Sequence, residues 1–67
     1  DALEEYFNTP IEVSLKSADM IIKILAVIDR RVGKRTLQKL KEPIKNEHES
    51  IQFFFRLRCD VEGISFD

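Results

Sequence analysis

One stretch of the chain, residues 19–29, constrains the fold more than any other. Seven of its eleven residues are large and apolar. If it is helical, only one narrow strip is polar or small, because side chains on one side of a helix recur about every 3.6 residues. That strip consists of Asp19, Lys23, Ala26 and Arg30. A helix that is apolar on its other sides needs several neighbours. We therefore predict a central helix over about residues 18–31, surrounded by the rest of the chain.

The chain is short and cannot be cross-linked within itself. Its 67 residues make one small domain, and a domain of this size buries only about 60% of the surface of the unfolded chain. Cys59 is the single cysteine, so no intramolecular disulfide can form. One cysteine and one histidine, His48, are too few ligands for a structural zinc site. About twenty-five large apolar residues are generous for one core of this size, which favours a dimer.

Charge is segregated along the chain, although the net charge is only -1. Residues 20–41 contain seven bases and one acid, whereas the segments on either side are acidic. The acidic flanks can partly neutralise the basic segment within the fold.

The sequence contains no membrane or secretion signal. The apolar run near residue 23 is interrupted by Lys23 and is far shorter than the roughly twenty residues that span a bilayer. A free cysteine without a secretory signal is typical of the cytoplasm, where we expect the protein. Since the chain begins at Asp1 rather than methionine, we expect that residues have been trimmed from its N-terminus, and a targeting segment could have been lost with them.

The first two helices are marked by start signals. Asp1 and Glu4 form a capping-box pattern, which predicts a short first helix. Thr9 is the expected cap of a second helix over residues 10–16, because Pro10 suits a first helical position. The predicted apolar stripes of these helices are Leu3, Tyr6 and Phe7 in the first, and Ile11 and Leu15 in the second.

The central helix has an expected signal at each end. Ser17 caps its start, and Gly33 is the expected left-handed residue just beyond its end. A shorter helix follows over residues 34–41, and Pro43 is expected to prevent its continuation. The inward residues of this shorter helix are Leu37 and Leu40.

A longer helix is predicted over residues 47–62. Asn46 and Glu49 form a capping-box pattern at its start, and Gly63 is the expected left-handed cap at its end. Two adjoining apolar rows would together cover the central helix, and a short tail can fold back. One row is Ile51, Phe55 and Cys59; the other is Phe53 or Phe54, Leu57 and Val61; the tail contains Ile64 and Phe66.

The segment after the central helix is strongly basic, with six bases and no acid within residues 30–41. Clustered bases release counterions when they bind phosphates, so one interpretation is a surface that binds nucleic acid or another polyanion. A helix–turn–helix formed by the central helix, the turn at Gly33 and the next helix is one form that this surface could take. The alternative is a solvated basic edge that the acidic flanks neutralise, favoured by the slightly negative net charge. The residues of the polyanion interpretation are Arg30, Arg31, Lys34 and Arg35.

Asp29 is an acid at the rim of an apolar helix face. A carboxylate in such a place requires a partner. The candidates are Arg35, across the following turn, and Arg58 on the last helix, whose stem would lie along apolar surface. We interpret Asp29 as a member of a structural ion pair rather than as a catalytic carboxylate.

No residue pattern indicates catalysis. His48 lacks further metal ligands nearby and is interpreted as a solvated histidine in a first helical turn. Cys59 aligns with Phe55 on an apolar row and is interpreted as an inert core thiol, because no histidine is placed to activate it. The chain contains no glycine-rich phosphate loop and no serine elbow. We therefore predict no catalytic, cofactor-binding or metal-binding residue.

Two segments resemble a pattern found in a group of bacterial proteins. They are DRRVGKRTL at residues 29–37 and LRCDVEG at residues 57–63. The pattern is similar to that of small uncharacterised bacterial helical proteins. The resemblance implies a bacterial, cytoplasmic origin and implies no activity.

These patterns together predict an all-α fold, a compact bundle of four or five short helices around the central apolar helix. The expected function is that of a non-enzymatic module without a cofactor, which binds a protein partner or itself as a homodimer. The alternative is a nucleic-acid-binding regulator that uses the basic segment 30–41.

Overall fold

The computed structural model describes residues 1–66, apart from the side chain of Ala2, and contains five α-helices in this range. No strand occurs among these residues. The prediction of an all-α bundle is therefore confirmed. The helices are α1 (Ala2–Asn8), α2 (Ile11–Leu15), α3 (Met20–Ile28), α4 (Lys34–Ile44) and α5 (Glu49–Glu62).

The caps of the first two helices differ from one another. The Asp1 carboxylate accepts a hydrogen bond from the backbone N–H of Glu4 at 2.9 Å, as the capping-box pattern predicted. Thr9 was wrongly predicted as the cap of α2. It follows the end of α1, and α2 begins after Pro10 with no side-chain cap. The Thr9 hydroxyl is engaged by α1 instead, because it donates to the carbonyl of Glu5.

The cap of α3 is Asp19 and not Ser17. The Asp19 carboxylate accepts from the backbone N–H groups of Ile21 and Ile22 at 2.9 and 3.2 Å. The Ser17 hydroxyl accepts from the N–H of Asp19 itself, at 3.0 Å. Because the aspartate satisfies two free amides of the first turn, the helix starts later than predicted, at Met20.

Gly33 was predicted to end α3 in a left-handed conformation, and this prediction is wrong. The helix already ends at Ile28, and the backbone leaves it extended at Asp29 (φ -70°, ψ 136°). Gly33 is also extended (φ -86°, ψ 174°) and immediately precedes α4. The reason is local: the Asp29 carboxylate accepts from the N–H of Arg31 at 2.8 Å, which forms a turn in place of another helical turn.

Helix α4 continues past the predicted stop and includes Pro43. Pro43 has no backbone N–H to donate to the carbonyl of Lys39, so one helical hydrogen bond is lost. The extension carries Ile44 into the core, where it is buried. Burial of this side chain offsets the lost hydrogen bond.

Helix α5 starts at a different cap but ends as predicted. His48, and not Asn46, caps it: Nδ1 of His48 accepts from the N–H of Ser50 at 3.0 Å. Gly63 is left-handed (φ 72°, ψ 28°), and the N–H of Ile64 donates to the carbonyl of Cys59 at 2.8 Å, which is a Schellman motif. This turn folds the tail back, and Ile64 and Phe66 are both buried.

The centre of the core is Phe55 of α5. Its ring meets that of Phe66 edge to face, with the ring centroids 5.0 Å apart. Helix α3 packs against both α2 and α5, but it is not enclosed on all apolar sides. Ala26, predicted on the outward strip, is fully buried, and the opposite side of α3 is open to solvent. The buried cluster comprises Val27, Val32, Leu37, Ile44, Ile51, Phe55, Cys59, Ile64 and Phe66.

Candidate interaction surface

Two neighbouring helices expose large apolar side chains. Among the residues described, several of the most exposed hydrophobic side chains belong to α3 and α5. We call this set the α3/α5 face. Its members and their exposed fractions are Ile21 (64%), Ile28 (42%), Phe53 (56%), Leu57 (45%) and Val61 (81%).

The two helices run side by side in the same direction. Near the start of α3, Lys23 forms an ion pair with Glu47, which lies just before α5. Beyond the end of α3, the carbonyl of Asp29 accepts a hydrogen bond from Arg58, in the third turn of α5. Because contacts join both the early and the late parts of these helices, their C-terminal ends lie at the same end of the molecule.

The late parts of α3 and α5 form a shallow apolar cleft. Ile28 contributes one side, and Leu57 and Val61 contribute the other. The cleft has a volume of about 390 Å³, and charged groups of both signs line its rim. Two of these charged residues are Arg30 and Glu62. The cleft is therefore a hydrophobic depression with a polar border, the usual composition of a protein-binding site.

Both apolar rows of α5 were predicted to cover α3, but the second row does not. The row of Ile51, Phe55 and Cys59 is buried, but Leu57 and Val61 point to solvent. The apolar pattern was read correctly as helical, yet the core has room for only one row. Of the two candidates for the second row, Phe54 is half-buried against the core, and the exposed ring is Phe53.

Asp29 is paired, but with a residue that the sequence did not single out for this role. Nη2 of Arg31 lies 3.0 Å from Oδ2 of Asp29, and Nε of Arg31 lies 3.2 Å from Oδ1. The prediction named Arg35 and Arg58 as partners of this carboxylate. The backbone N–H of Arg31 also donates to this carboxylate, at 2.8 Å, so the turn itself holds Arg31 next to Asp29.

Tyr6 completes this cluster. Its hydroxyl donates to Oδ2 of Asp29 at 2.6 Å, and the guanidinium of Arg31 lies over its ring, 5.4 Å from the centroid. The hydrogen bond from Arg31 lowers the pKa of Asp29 to about 2. Burial, together with the hydrogen bond to Asp29, raises the pKa of Tyr6 to about 12. Sequence reasoning placed Tyr6 on an apolar stripe and overlooked that a buried tyrosine hydroxyl needs a partner.

Arg58 fastens the turn after α3 to α5. Its guanidinium donates to the carbonyls of Asp29 and Val32, at 2.6 Å each, and lies 3.4 Å from a carboxylate oxygen of Glu62. The side chain is largely buried, as predicted, but its head binds the backbone of Asp29 and not the carboxylate. The α3/α5 face is thus held by a hydrogen-bonded junction at its C-terminal end.

Of the four predicted polyanion-binding residues, one is engaged within the fold and three are exposed without an ion pair to a described residue. Arg31 is engaged by Asp29 and also donates to the carbonyl of Thr9 at 3.1 Å. Arg30, Lys34 and Arg35 are exposed, and none of them forms an ion pair with another described residue. Lys34 and Arg35 lie in the first turn of α4, which has no side-chain cap.

A second cleft, of about 490 Å³, lies between α2, α3 and α4. Its walls are largely apolar and include Leu15, Val27 and Leu40. Charges of both signs surround it, and two of them, Lys23 and Glu47, are already paired with each other. The border therefore offers no clear preference for an anionic or a cationic ligand.

The two residues considered for chemistry lie apart from the face. His48 is exposed at the start of α5, and Cys59 is buried in the core, where burial raises the pKa of its thiol. Among residues 1–66 no three histidine, cysteine or acidic side chains are grouped so that they could hold a metal ion. No helix in this range has the length and apolar character needed to cross a membrane.

Comparison with known proteins identifies the family. The model of the SF0329 protein family matches residues 1–59, most of the chain. The chain belongs to the SF0329 protein family. The match covers α1 to α4 and most of α5, and it includes the Tyr6, Asp29, Arg31 and Arg58 junction. No curated protein and no solved structure matches the chain. The SF0329 match supplies membership and no activity.

Proposed function

We propose that this chain is a non-enzymatic interaction module that binds a protein through the α3/α5 face. The observation that carries the proposal is the exposure of five large apolar side chains on two adjacent, parallel helices. Removing a side chain of this size from water contributes about 1.5–3 kcal/mol when it is fully buried. A partner that covers the face would gain a substantial part of this free energy.

These five side chains do not belong to the buried core. Phe55, Leu37 and Val27 are fully buried and form the core with their neighbours. Leu57 and Val61 lie outside that core. Apolar residues at such positions favour association, because an exposed apolar cluster on a small domain promotes aggregation unless a partner covers it.

An open face of this kind suits a protein better than a substrate. Shifted pKa values often mark catalytic groups, but the shifted groups here are explained by structural contacts. Asp29 and Tyr6 are bonded to each other and to Arg31. These contacts support a structural role for the cluster, which holds α1, the α3–α4 turn and α5 together.

We also propose that the protein acts in the bacterial cytoplasm. The resemblance of residues 29–37 and 57–63 to bacterial proteins supports the origin. The buried free thiol of Cys59 is compatible with a reducing compartment.

Photo-crosslinking in bacterial cells that express the tagged chain tests the proposal. A photoreactive phenylalanine at Leu57 should trap a protein of discrete mass, either a second copy or another chain. The adduct should be lost when Val61 is also changed to lysine. The matched control is Val13→Lys, which alters an exposed valine of α2 outside the face and should leave the adduct intact. Absence of an adduct at position 57, or equal loss in both variants, would contradict the proposal.

A second candidate function is nucleic-acid binding by the basic segment. It is supported by the exposure of Lys34 and Arg35 at the start of α4, where free backbone N–H groups also favour phosphate. Fluorescence anisotropy with duplex DNA and with RNA at low salt tests it. A Lys34→Ala/Arg35→Ala variant should reduce the slope of log affinity against log salt by about 2. A signal that does not change with salt, or no binding at all, rejects this function.

A further inference from the structure

We propose that a third cleft, between α1, α2 and the start of α3, binds a primary ammonium group through the carboxylates of Glu5 and Asp19 and the hydroxyl of Ser14. None of the five residues of the α3/α5 face lines this cleft, so the inference does not rest on the proposed function. Three properties carry it: the charge of the walls, a buried serine whose hydroxyl has no protein partner, and the apolar side chains beside them.

The walls of this cleft are acidic. The cleft has a volume of about 310 Å³, and the described residues that line it include Glu5 and Asp19 but no lysine or arginine. Neither carboxylate forms an ion pair with a described residue. Arg31 lies over the ring of Tyr6, which lines the cleft, but the charge of Arg31 is paired with Asp29. The cleft is therefore complementary to a cation.

Asp19 keeps one carboxylate oxygen available to a ligand. As the cap of α3, its Oδ1 accepts hydrogen bonds from the backbone N–H groups of Ile21 and Ile22. Its Oδ2 accepts no hydrogen bond from a described residue. The cap and a ligand would thus use different oxygens of the same carboxylate.

Ser14 supplies an independent observation that points to a ligand. It lines the cleft and is buried, with only 3% of its surface exposed. Its hydroxyl takes part in none of the side-chain hydrogen bonds among residues 1–66. No side-chain oxygen in this range is both sealed from solvent and without a partner, so the hydroxyl opens onto the cleft. It is placed to bond a group that enters there.

The lining selects the chemical class of the ligand. Two carboxylates and one hydroxyl provide acceptors for the three N–H donors of a primary ammonium group. Val13 and Ile22 also line the cleft and offer apolar surface to a short alkyl chain attached to that group. Such a group occurs in a free small amine and in the lysine side chain of another protein.

A chemical-shift titration of the isotope-labelled chain with n-butylammonium chloride tests the site. The amide signals of Glu5, Ser14 and Asp19 should shift and saturate with a dissociation constant of about 1–10 mM, because exposed carboxylates bind weakly. Tetramethylammonium chloride has no N–H donor and should bind at least about fivefold more weakly. Sodium chloride and magnesium chloride at matched ionic strength are the references. Shifts that do not saturate, or that either reference reproduces, would overturn the proposal.

Variants test the three binding groups. Ser14→Ala should weaken binding of n-butylammonium about fivefold, and it should not disturb α2 because alanine favours a helix. Asp19→Asn keeps a capping side chain while it removes the charge; this variant and Glu5→Gln should each weaken binding about threefold. Glu4→Gln is the matched control, because this exposed acid of α1 does not line the cleft. Wild-type affinity in Ser14→Ala, or equal losses in Glu4→Gln and Glu5→Gln, would overturn the site.

A blocked tripeptide with a central lysine distinguishes the two carriers of the ammonium group. Binding at least about tenfold tighter than that of n-butylammonium would identify a lysine side chain as the ligand, because the peptide adds contacts around the cleft. Equal or weaker binding would identify a free small amine. If neither probe saturates, the site is overturned, whatever the photo-crosslinker at Leu57 traps on the α3/α5 face.

Discussion

Helix α5 carries two apolar rows with opposite environments. Ile51, Phe55 and Cys59 are buried, and Phe55 is fully enclosed. On the adjoining side, Phe53, Leu57 and Val61 are exposed. The two rows contain similar side chains and lie on the same helix. Hydrophobicity alone therefore does not distinguish a core row from a surface row; the number of neighbouring elements does.

The difference between the rows shows how much of the apolar surface of α5 the other described helices leave open. Helix α5 packs against α3 and α4, and the tail after Gly63 folds onto it. No other helix within residues 1–66 covers its other row. An apolar helix face wider than the core needs is thus a sign of association in a small domain.

The largest difference between the two rows is expected at their phenylalanines. Phe55→Ala should lower the free energy of unfolding by about 3–5 kcal/mol, because it creates a cavity at the centre of the core. Phe53→Ala removes an exposed ring and should cost less than about 1 kcal/mol. Urea denaturation at a concentration below that of any dimer measures both. Equal effects would mean that the two rows are not distinct.

A smaller effect is expected at the polar junction that borders the face. Asp29→Asn removes the charge that Arg31 and Tyr6 share and should lower stability at neutral pH by on the order of 1–2 kcal/mol, with allowance for the partial exposure of Arg31. The pKa of Asp29 is about 2 in the folded chain and ordinarily 3.8. Its contribution is therefore present above about pH 4 and is lost as the pH falls towards 2. Wild-type stability should show this loss between pH 4 and 2, and the variant should lack it.

Tyr6 reports on the same junction independently. It is the only tyrosine of the chain, so the absorbance of tyrosinate measures its ionisation alone. The folded protein should titrate near a pKa of about 12. In Asp29→Asn the pKa should fall towards the ordinary value of 10, but not reach it, since burial is the largest cause of the shift. An unchanged pKa would show that the hydrogen bond to Asp29 does not form in solution.

The left-handed turn at Gly63, which follows the buried row, should have the next largest effect on stability. Gly63 has a φ of 72°, and a Cβ at this position would meet no atom within 4 Å. Gly63→Ala is therefore expected to cost about 1 kcal/mol through backbone conformation alone. Thermal unfolding measures it, and Gly33→Ala is the control, because Gly33 has an ordinary extended conformation and equally open surroundings. A similar loss in both variants would indicate that the left-handed turn is not the cause.

The smallest effect on stability should come from the exposed row itself. Val61→Lys should change the free energy of unfolding of the monomer by no more than about 0.5 kcal/mol. Denaturation of the dilute protein measures it. A large destabilisation would show that Val61 supports the fold, and the contrast between the rows of α5 would no longer hold.

Local sequence signals determined the helical character of the chain and several of its ends. Spacing of apolar residues predicted α5 and its buried row, and Asp1 and Gly63 were identified as caps because their roles depend on adjacent backbone groups alone. Where two capping residues lie close together, as Ser17 and Asp19 do, spacing did not decide between them. The outcome depends on which oxygen reaches the free amides of the first turn.

Only the tertiary structure decided which apolar rows are enclosed and which partner each buried polar group finds. The pairing of Tyr6 with Asp29 joins residues 23 positions apart, and no local pattern encodes it. The exposure of Ile21, Leu57 and Val61 depends on how many helices remain to cover α3 and α5. Sequence periodicity reports the width of an apolar surface, whereas the packing of all five helices determines how much of that surface is removed from water.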